Sequence, residues 1–244
     1  MRILVLGHNG MLGHMVVKYL QSQEYDVVKF IGRFPENQKT LLEFKGDYII
    51  NCIGAIPQRT NNFDINWYLP IWLDTHAPCK VIHPGTDCEM DDDDYGISKR
   101  IAANYIRNYG RQTKSIKTSI LGPELYTKAS LMEWFLNQEN EIFGYTNAMW
   151  NGNTTLEWAK YCEHVMQAWN MVEPELILSS DCISKYELLC TIKKVFNKDI
   201  KINKKELGKD KCLVGTVTTD PIIEQLEELK EYYFKKVTNK FNFW

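Results

Sequence analysis

The stretch Ile3-Leu4-Val5-Leu6-Gly7-His8-Asn9-Gly10-Met11-Leu12-Gly13 decides the fold. A short apolar run leads into glycines spaced G-x-x-G-x-x-G, and residues 11–22 continue with helical periodicity. Strand, tight turn and helix in that order open a doubly wound sheet. Gly7 allows the turn, Gly10 lets the backbone approach a phosphate, and Gly13 lets the helix pack on the strand. The N–H groups and partial positive charge at the helix start suit a dinucleotide pyrophosphate. Gly7, Asn9, Gly10, Met11, Leu12 and Gly13 are therefore candidate cofactor contacts.

Outward from this unit, strands are expected at 26–31, 48–53, 80–83 and 115–121. Helices are expected at 36–44, 65–74 and 95–109. The alternation predicts an α/β protein with a Rossmann-like doubly wound parallel sheet, helices on both faces and the ligand at the carboxyl ends of the strands. After Gly122-Pro123 aromatic residues become dense. Helices are expected at 156–169, 186–196 and 222–235, and a strand at 175–179. The expected division is a dinucleotide-binding domain over 1–122, with a return strand near 175–180, and a mostly substrate-binding lobe over 123–244. The tail Lys235–Trp244 mixes basic and aromatic residues and reads as a docking segment or a frayed end.

NAD enzymes place an acid at the end of the second strand to hold the adenine ribose. Here that region reads Lys29-Phe30-Ile31-Gly32-Arg33, with no acid. Arg33 sits where a guanidinium can fork onto a 2′-phosphate, which favours NADP(H) over NAD(H). The plain alternative is a surface arginine.

A second motif follows at Tyr95-Gly96-Ile97-Ser98-Lys99. Tyr95 and Lys99 stand at i and i+4, on one helix face. A free phenol titrates near 10, and a neighbouring ammonium is expected to lower that value so that tyrosine serves as a general acid. Lys99 can also hold the nicotinamide ribose hydroxyls. With the glycine motif upstream, the pair implies a nicotinamide-dependent reductase in which tyrosine moves the proton.

Composition narrows the class. The chain has 244 residues, 44% hydrophobic and 25% charged, with a formal net charge of −2. That balance leaves no footprint for nucleic acid, and no stretch is long and apolar enough to span a bilayer. Arg2 followed by so short an apolar run does not read as a signal peptide. The seven cysteines form no C-x-x-C pair, arguing against a zinc site and against a disulfide framework. A cytoplasmic location is expected, with most cysteines serving as small core residues. The run Asp91–Asp94 reads as solvated loop, with a divalent ion as the lesser alternative.

With both motifs placed, the chain resembles extended short-chain dehydrogenase/reductases, and among them the dTDP-4-dehydrorhamnose reductase-like sugar-nucleotide reductases. Residues 49–56 resemble the family's strand and turn beside the cofactor, which adds Cys52, Ile53 and Gly54 as cofactor contacts. Asn66 matches an asparagine in the helix that follows. Val81-Ile82-His83-Pro84-Gly85-Thr86-Asp87-Cys88 resembles the strand whose threonine completes a Thr/Tyr/Lys triad, so the resemblance makes Thr86 a catalytic and substrate-binding residue beside Tyr95 and Lys99. Residues 117–124 and 130–160 resemble a substrate-side region, where Trp150 and Asn151 become candidate substrate contacts. The chain departs from the pattern in three places. Thr86 and Tyr95 are only nine positions apart, Gly85 replaces a serine, and a strand between the second strand and the Asn51 strand is missing.

The resemblance implies an NADP-dependent reductase of a nucleotide-linked 4-keto-6-deoxy sugar, serving nucleotide-sugar and polysaccharide biosynthesis. It requires no metal and leaves a homodimer open. The same scaffold carries sugar-nucleotide epimerases and dehydratases, for which Asp87 is the candidate extra acid. It also carries non-catalytic dinucleotide-binding regulatory subunits.

Overall fold

The computed structural model describes residues 1–235, so most of the basic, aromatic tail lies outside the described residues. In chain order the elements are β1 (Arg2–Leu6), α1 (Met11–Ser22), β2 (Asp26–Lys29), α2 (Gln38–Leu42), β3 (Tyr48–Asn51), α3 (Ile65–His76), β4 (Lys80–Gly85), a 3₁₀ turn (Asp87–Met90), α4 (Asp94–Tyr109) and β5 (Thr113–Lys117). There follow β6 (Ile120–Leu121), α5 (Leu131–Leu136), β7 (Glu141–Tyr145), β8 (Met149–Trp150), β9 (Asn153–Thr154), α6 (Thr155–Gln167), β10 (Glu175–Ser179), β11 (Ile183–Ser184), α7 (Lys185–Phe196), β12 (Lys201–Lys205), β13 (Val217–Thr218), α8 (Ile222–Leu229) and a π-helical turn (Lys230–Lys235).

Seven strands form one parallel sheet in the order β13-β10-β5-β4-β3-β1-β2. The winding direction reverses between β1 and β3, which opens a crevice at the carboxyl ends of those two strands. β2 pairs only with β1 and forms the sheet edge, so no strand lies outside it among the described residues, as the sequence anticipated. The short β13 beyond β10 was not anticipated; only two residues pair there, too few for a periodic signal.

β1 is a continuous apolar run because it is buried on both sides. Ile3 and Val5 join a cluster with Val16 and Leu20 of α1 and Trp158 and Cys162 of α6. Leu4 and Leu6 face the opposite cluster with Phe30, Leu69 and Leu73. Although α6 lies late in the chain, it therefore covers the dinucleotide-type sheet. Its start is fixed by Thr154, whose hydroxyl accepts the Glu157 N–H at 3.1 Å. A third cluster joins α5, α7 and α8 around Phe135, Trp150, Leu188, Ile192 and Leu226, and Met15 of α1 reaches into it. The small pairs β7–β12, β8–β11 and β6–β9 frame this cluster.

One cysteine expectation is corrected. Cys182 and Cys212 form a disulfide across 30 residues, with Cα atoms 6.0 Å apart. The coil 206–215 makes this pairing because it runs alongside β8: Met149 N–H donates to the Lys209 carbonyl and Lys211 N–H to the Met149 carbonyl, each at 3.2 Å. The other cysteines are free, and Cys162 is the one fully enclosed in the apolar core.

Trp158 is fully buried, and its indole N–H donates to the Ile116 carbonyl at 3.2 Å, locking α6 to β5. Trp158→Ala is expected to cost about 3–5 kcal/mol from the cavity and the orphaned carbonyl. Urea unfolding should show this as a lower midpoint at unchanged slope.

Candidate active site

The glycine turn closes the crevice from one side. Gly7 has φ +70°, and a Cβ there would meet the Cys52 carbonyl oxygen at 2.7 Å. A Cβ on Gly13 would overlap the Gly7 carbonyl, so the turn admits no larger residue at either position. Gly10 caps α1 without a side-chain acceptor, leaving the first-turn amides for a ligand. Asn9 is exposed at the rim, Met11 is partly exposed, and Leu12 is buried in the core.

Across the crevice, the turn after β3 is held by buried amides. Asn51 Oδ1 accepts the Ile53 N–H at 3.0 Å, while its Nδ2 donates to His83 Nδ1 at 3.1 Å. Burial, with Lys99 nearby, keeps His83 neutral, which suits that accepting role. Asn66 clamps Ala55 by both its groups, at 2.8 and 3.0 Å, and donates to Ser98 Oγ at 3.1 Å. Ser98 Oγ in turn donates to the Tyr95 carbonyl at 2.6 Å. Of the three candidate contacts in this turn, Gly54 faces Lys99 of α4, while Cys52 and Ile53 pack on the apolar clusters on the two sides of the sheet.

The structure brings Thr86, Tyr95 and Lys99 together at the end of β4 and the start of α4. Thr86 hydrogen-bonds the Tyr95 phenol through its side chain and donates to Asp87 Oδ1 at 3.0 Å. The Phe63 ring packs edge-on against Tyr95, centroids 5.6 Å apart. The Lys99 ammonium lies over Gly54, 3.4 Å from where a Cβ would stand.

The expected lowering of the Tyr95 phenol is not what the structure contains. Burial pushes it up, Cys88 and Asp87 push the same way, and the Thr86 hydrogen bond only partly opposes them. Lys99 is itself pulled down to about 8 by burial, against the attraction of Glu89 and Cys88. In a buried pair desolvation penalises both charges, so proximity of an ammonium does not by itself favour phenolate.

The short link from Thr86 to Tyr95 is built from paired charges. Glu89 accepts the Thr86 N–H at 3.0 Å and forms a buried ion pair with Lys117 at 2.5 Å. Gly85 leaves room for that pair, since a Cβ there would stand 2.9 Å from the Lys117 Cβ and 3.1 Å from Glu89 Oε1. The acidic run is exposed at Asp92, Asp93 and Asp94, as expected of a solvated stretch, and half-buried at Asp91. Asp91 pairs with Lys211 at 2.5 Å and Asp92 with Arg100 at 3.1 Å. Asp93 caps α4 by accepting the Gly96 N–H at 2.7 Å.

The remaining sequence candidates lie elsewhere. Arg33 is exposed on the loop after β2, its backbone N–H bound to Asn37 Oδ1 at 2.9 Å. Trp150 is 2% exposed and packs in the lobe core. Asn151 exchanges two hydrogen bonds of 2.8 Å with the Leu213 backbone. Sequence reasoning missed Lys185, whose ammonium sits 4.7 Å from the Trp150 ring centroid and is drawn down to about 8 by burial. It also missed Lys211 and the Glu89–Lys117 pair. No local motif marks any of them, since each partner is distant in the chain.

No protein-family model matches the chain, and no curated protein matches it. Solved structures do. A dTDP-4-dehydrorhamnose reductase from Clostridium acetobutylicum superposes with a TM-score of 0.75 at 18% identity, covering 98% of this chain and 100% of that one. The same enzyme from Bacillus anthracis, in complex with NADP, gives 0.71 at 14% identity over 93% of this chain and 98% of its own. A dTDP-glucose 4,6-dehydratase from Bacillus anthracis, in complex with NAD, gives 0.70 at 16% identity over 98% of both chains. At these identities the likeness establishes the Rossmann-like fold. No helix among the described residues is long and apolar enough to cross a membrane.

Lys117→Met would strand the Glu89 carboxylate in the interior and should lower stability by about 3–5 kcal/mol. Adding Glu89→Leu should recover most of that loss, because an apolar pair needs no desolvation. A double-mutant cycle from urea midpoints measures both effects.

Proposed function

We propose that this chain is an NADP-dependent reductase of a nucleotide-linked 4-keto-6-deoxy sugar, resembling the dTDP-4-dehydrorhamnose reductases. The observation that carries the reading is the meeting of Thr86, Tyr95 and Lys99 beside a glycine turn at the switch point of the sheet. The free first-turn amides of α1 and the absence of side chains at Gly7 and Gly13 fit a dinucleotide pyrophosphate. Residues 1–122 with β10 serve as the dinucleotide-binding unit, and most of 123–244 forms the wall over the sugar nucleotide.

A bound nicotinamide supplies the hydride. The chain supplies the proton and its control. Burial keeps the Tyr95 phenol protonated, so it is ready to donate to a carbonyl oxygen as charge builds there. Once the phenol has given up its proton, the Thr86 hydroxyl, which donates to Asp87 Oδ1 beforehand, can turn its proton to the phenolate. The Lys99 ammonium, facing Gly54, is positioned for ribose hydroxyls.

A dehydratase is the second reading, favoured by Asp87, which is 8% exposed and stands beside Thr86 and Tyr95. The two readings separate on stoichiometry. A reductase consumes one NADPH per sugar, whereas a dehydratase regenerates its cofactor and releases water.

Tyr95→Phe should lower kcat about 10²- to 10⁴-fold with a 4-keto-6-deoxy sugar nucleotide, while calorimetric NADPH affinity stays within error. Wild-type turnover in the variant would remove Tyr95 as the proton donor. Lys99 is charged below about 8 and neutral above it. Dinucleotide affinity should therefore fall as pH rises through about 8, and Lys99→Arg should move that fall out of the range.

A further inference from the structure

A cavity of about 500 Å³ opens beside the glycine turn, lined by His8, Asn9, His14, Lys18, Lys29 and Tyr126 among others. It contains buried polar atoms with no partner. His14 is 7% exposed, and its Nδ1 bonds the Gly10 carbonyl at 2.9 Å. A carbonyl only accepts, so Nδ1 carries the proton and Nε2 is left as a buried acceptor. Among the described residues nothing bonds to that Nε2, nor to His8 Nδ1. Burial favours the neutral form of His14, which keeps Nε2 an acceptor. Buried groups of this kind are ordinarily satisfied by a ligand or an ordered water.

The cavity also holds cationic side chains. Lys18 is already committed to the Tyr232 and Tyr233 carbonyls and rings. Lys29 is the last residue of β2 and is exposed, with no ion pair among the described residues. It shares a strand face with Val27, which packs on the α1 side of the sheet, and this is why it lines the cavity. Arg33 does not line it. Four positions further on, it lies beyond exposed Ile31 and Gly32 in the loop tied to Asn37.

Resting on the NADP reductase reading above, we propose that the 2′-phosphorylated adenosine end of the dinucleotide is read in this cavity, by Lys29 with His8 and Asn9, and not by Arg33. Lys29 supplies the charge for the phosphate. Asn9, exposed at the rim of the turn, supplies an amide donor. The two unpartnered histidine nitrogens meet hydroxyl or amino groups of the nucleoside, which are hydrogen-bond donors suited to an accepting Nε2.

The test is calorimetric titration with NADPH, NADH, adenosine 2′,5′-bisphosphate and AMP, with no turnover involved. Wild type should prefer each 2′-phosphorylated ligand. Lys29→Ala should lose about 10- to 100-fold in affinity for NADPH and the bisphosphate, as for one charge-assisted contact. Its NADH affinity should be unchanged, which also reports an intact fold. Lys29→Arg should restore most of the preference, and Arg33→Ala should change it less than about twofold. The inference is overturned if Arg33→Ala carries the loss, or if Lys29→Ala keeps the wild-type preference. Equal wild-type affinity for NADPH and NADH also overturns it, while the dinucleotide reading stands. Failure of wild type to bind either dinucleotide overturns the functional reading itself, and this inference with it.

Discussion

The site depends on one buried carboxamide. Asn66 is 1% exposed and hydrogen-bonds three ways: to Ala55 N–H, to the Ala55 carbonyl and to Ser98 Oγ. Through it α3 holds both the turn after β3 and the helix that carries Tyr95 and Lys99. Apolar packing alone could not set this register, because α3 and α4 could slide against each other at little cost in buried area. A buried amide with directional partners cannot slide without orphaning them. The distance from the glycine crevice to the phenol is thus fixed by a residue that need touch neither ligand.

The abbreviated link between Thr86 and Tyr95 shows the same economy with charge. A run of acids at the start of a helix would normally be a solvated cap. Here each of the first three has its own partner: Asp91 a lysine from the coil after β12, Asp92 an arginine one helical turn or more away, and Asp93 the α4 amides. The Asp91–Lys211 pair joins the strand-end loop to the lobe. The Cys182–Cys212 bridge and the Asn151–Leu213 exchange hold Lys211 in place. A short loop is therefore fastened from outside rather than by its own length.

What the sequence made legible was local. The glycine spacing is readable because the tight turn folds Gly13, in the first turn of α1, directly against the Gly7 carbonyl six residues earlier. Tyr95 and Lys99 fall on one side of α4 because i and i+4 share a helix face. α1 begins and ends where its periodicity said, and β10 returns to the sheet over 175–179. The residues it hid are paired over long chain distances: Cys182 with Cys212, Lys211 with Asp91, Lys185 with Trp150, Glu89 with Lys117. No pattern in one sequence signals a partner that only the fold brings near. The second strand ended early for a related reason. Beyond Lys29 only the Phe30 N–H still bonds β1, and the apolar Ile31 that suggested more strand is 85% exposed.

The protonation of the site shows why motif reasoning about charge fails inside a protein. On a solvated helix, lysine beside tyrosine favours phenolate. Inside the protein, both groups pay desolvation before they feel each other. Lys99 is the more deeply buried, and burial draws it down to about 8. Asp87 then adds negative potential on the phenol side. The outcome is a tyrosine held firmly in its acid form and a lysine near its titration point. For a step that delivers a proton to a carbonyl, an acid that stays protonated until charge appears on the acceptor is the useful state. Burial supplies that state more securely than a neighbouring cation would.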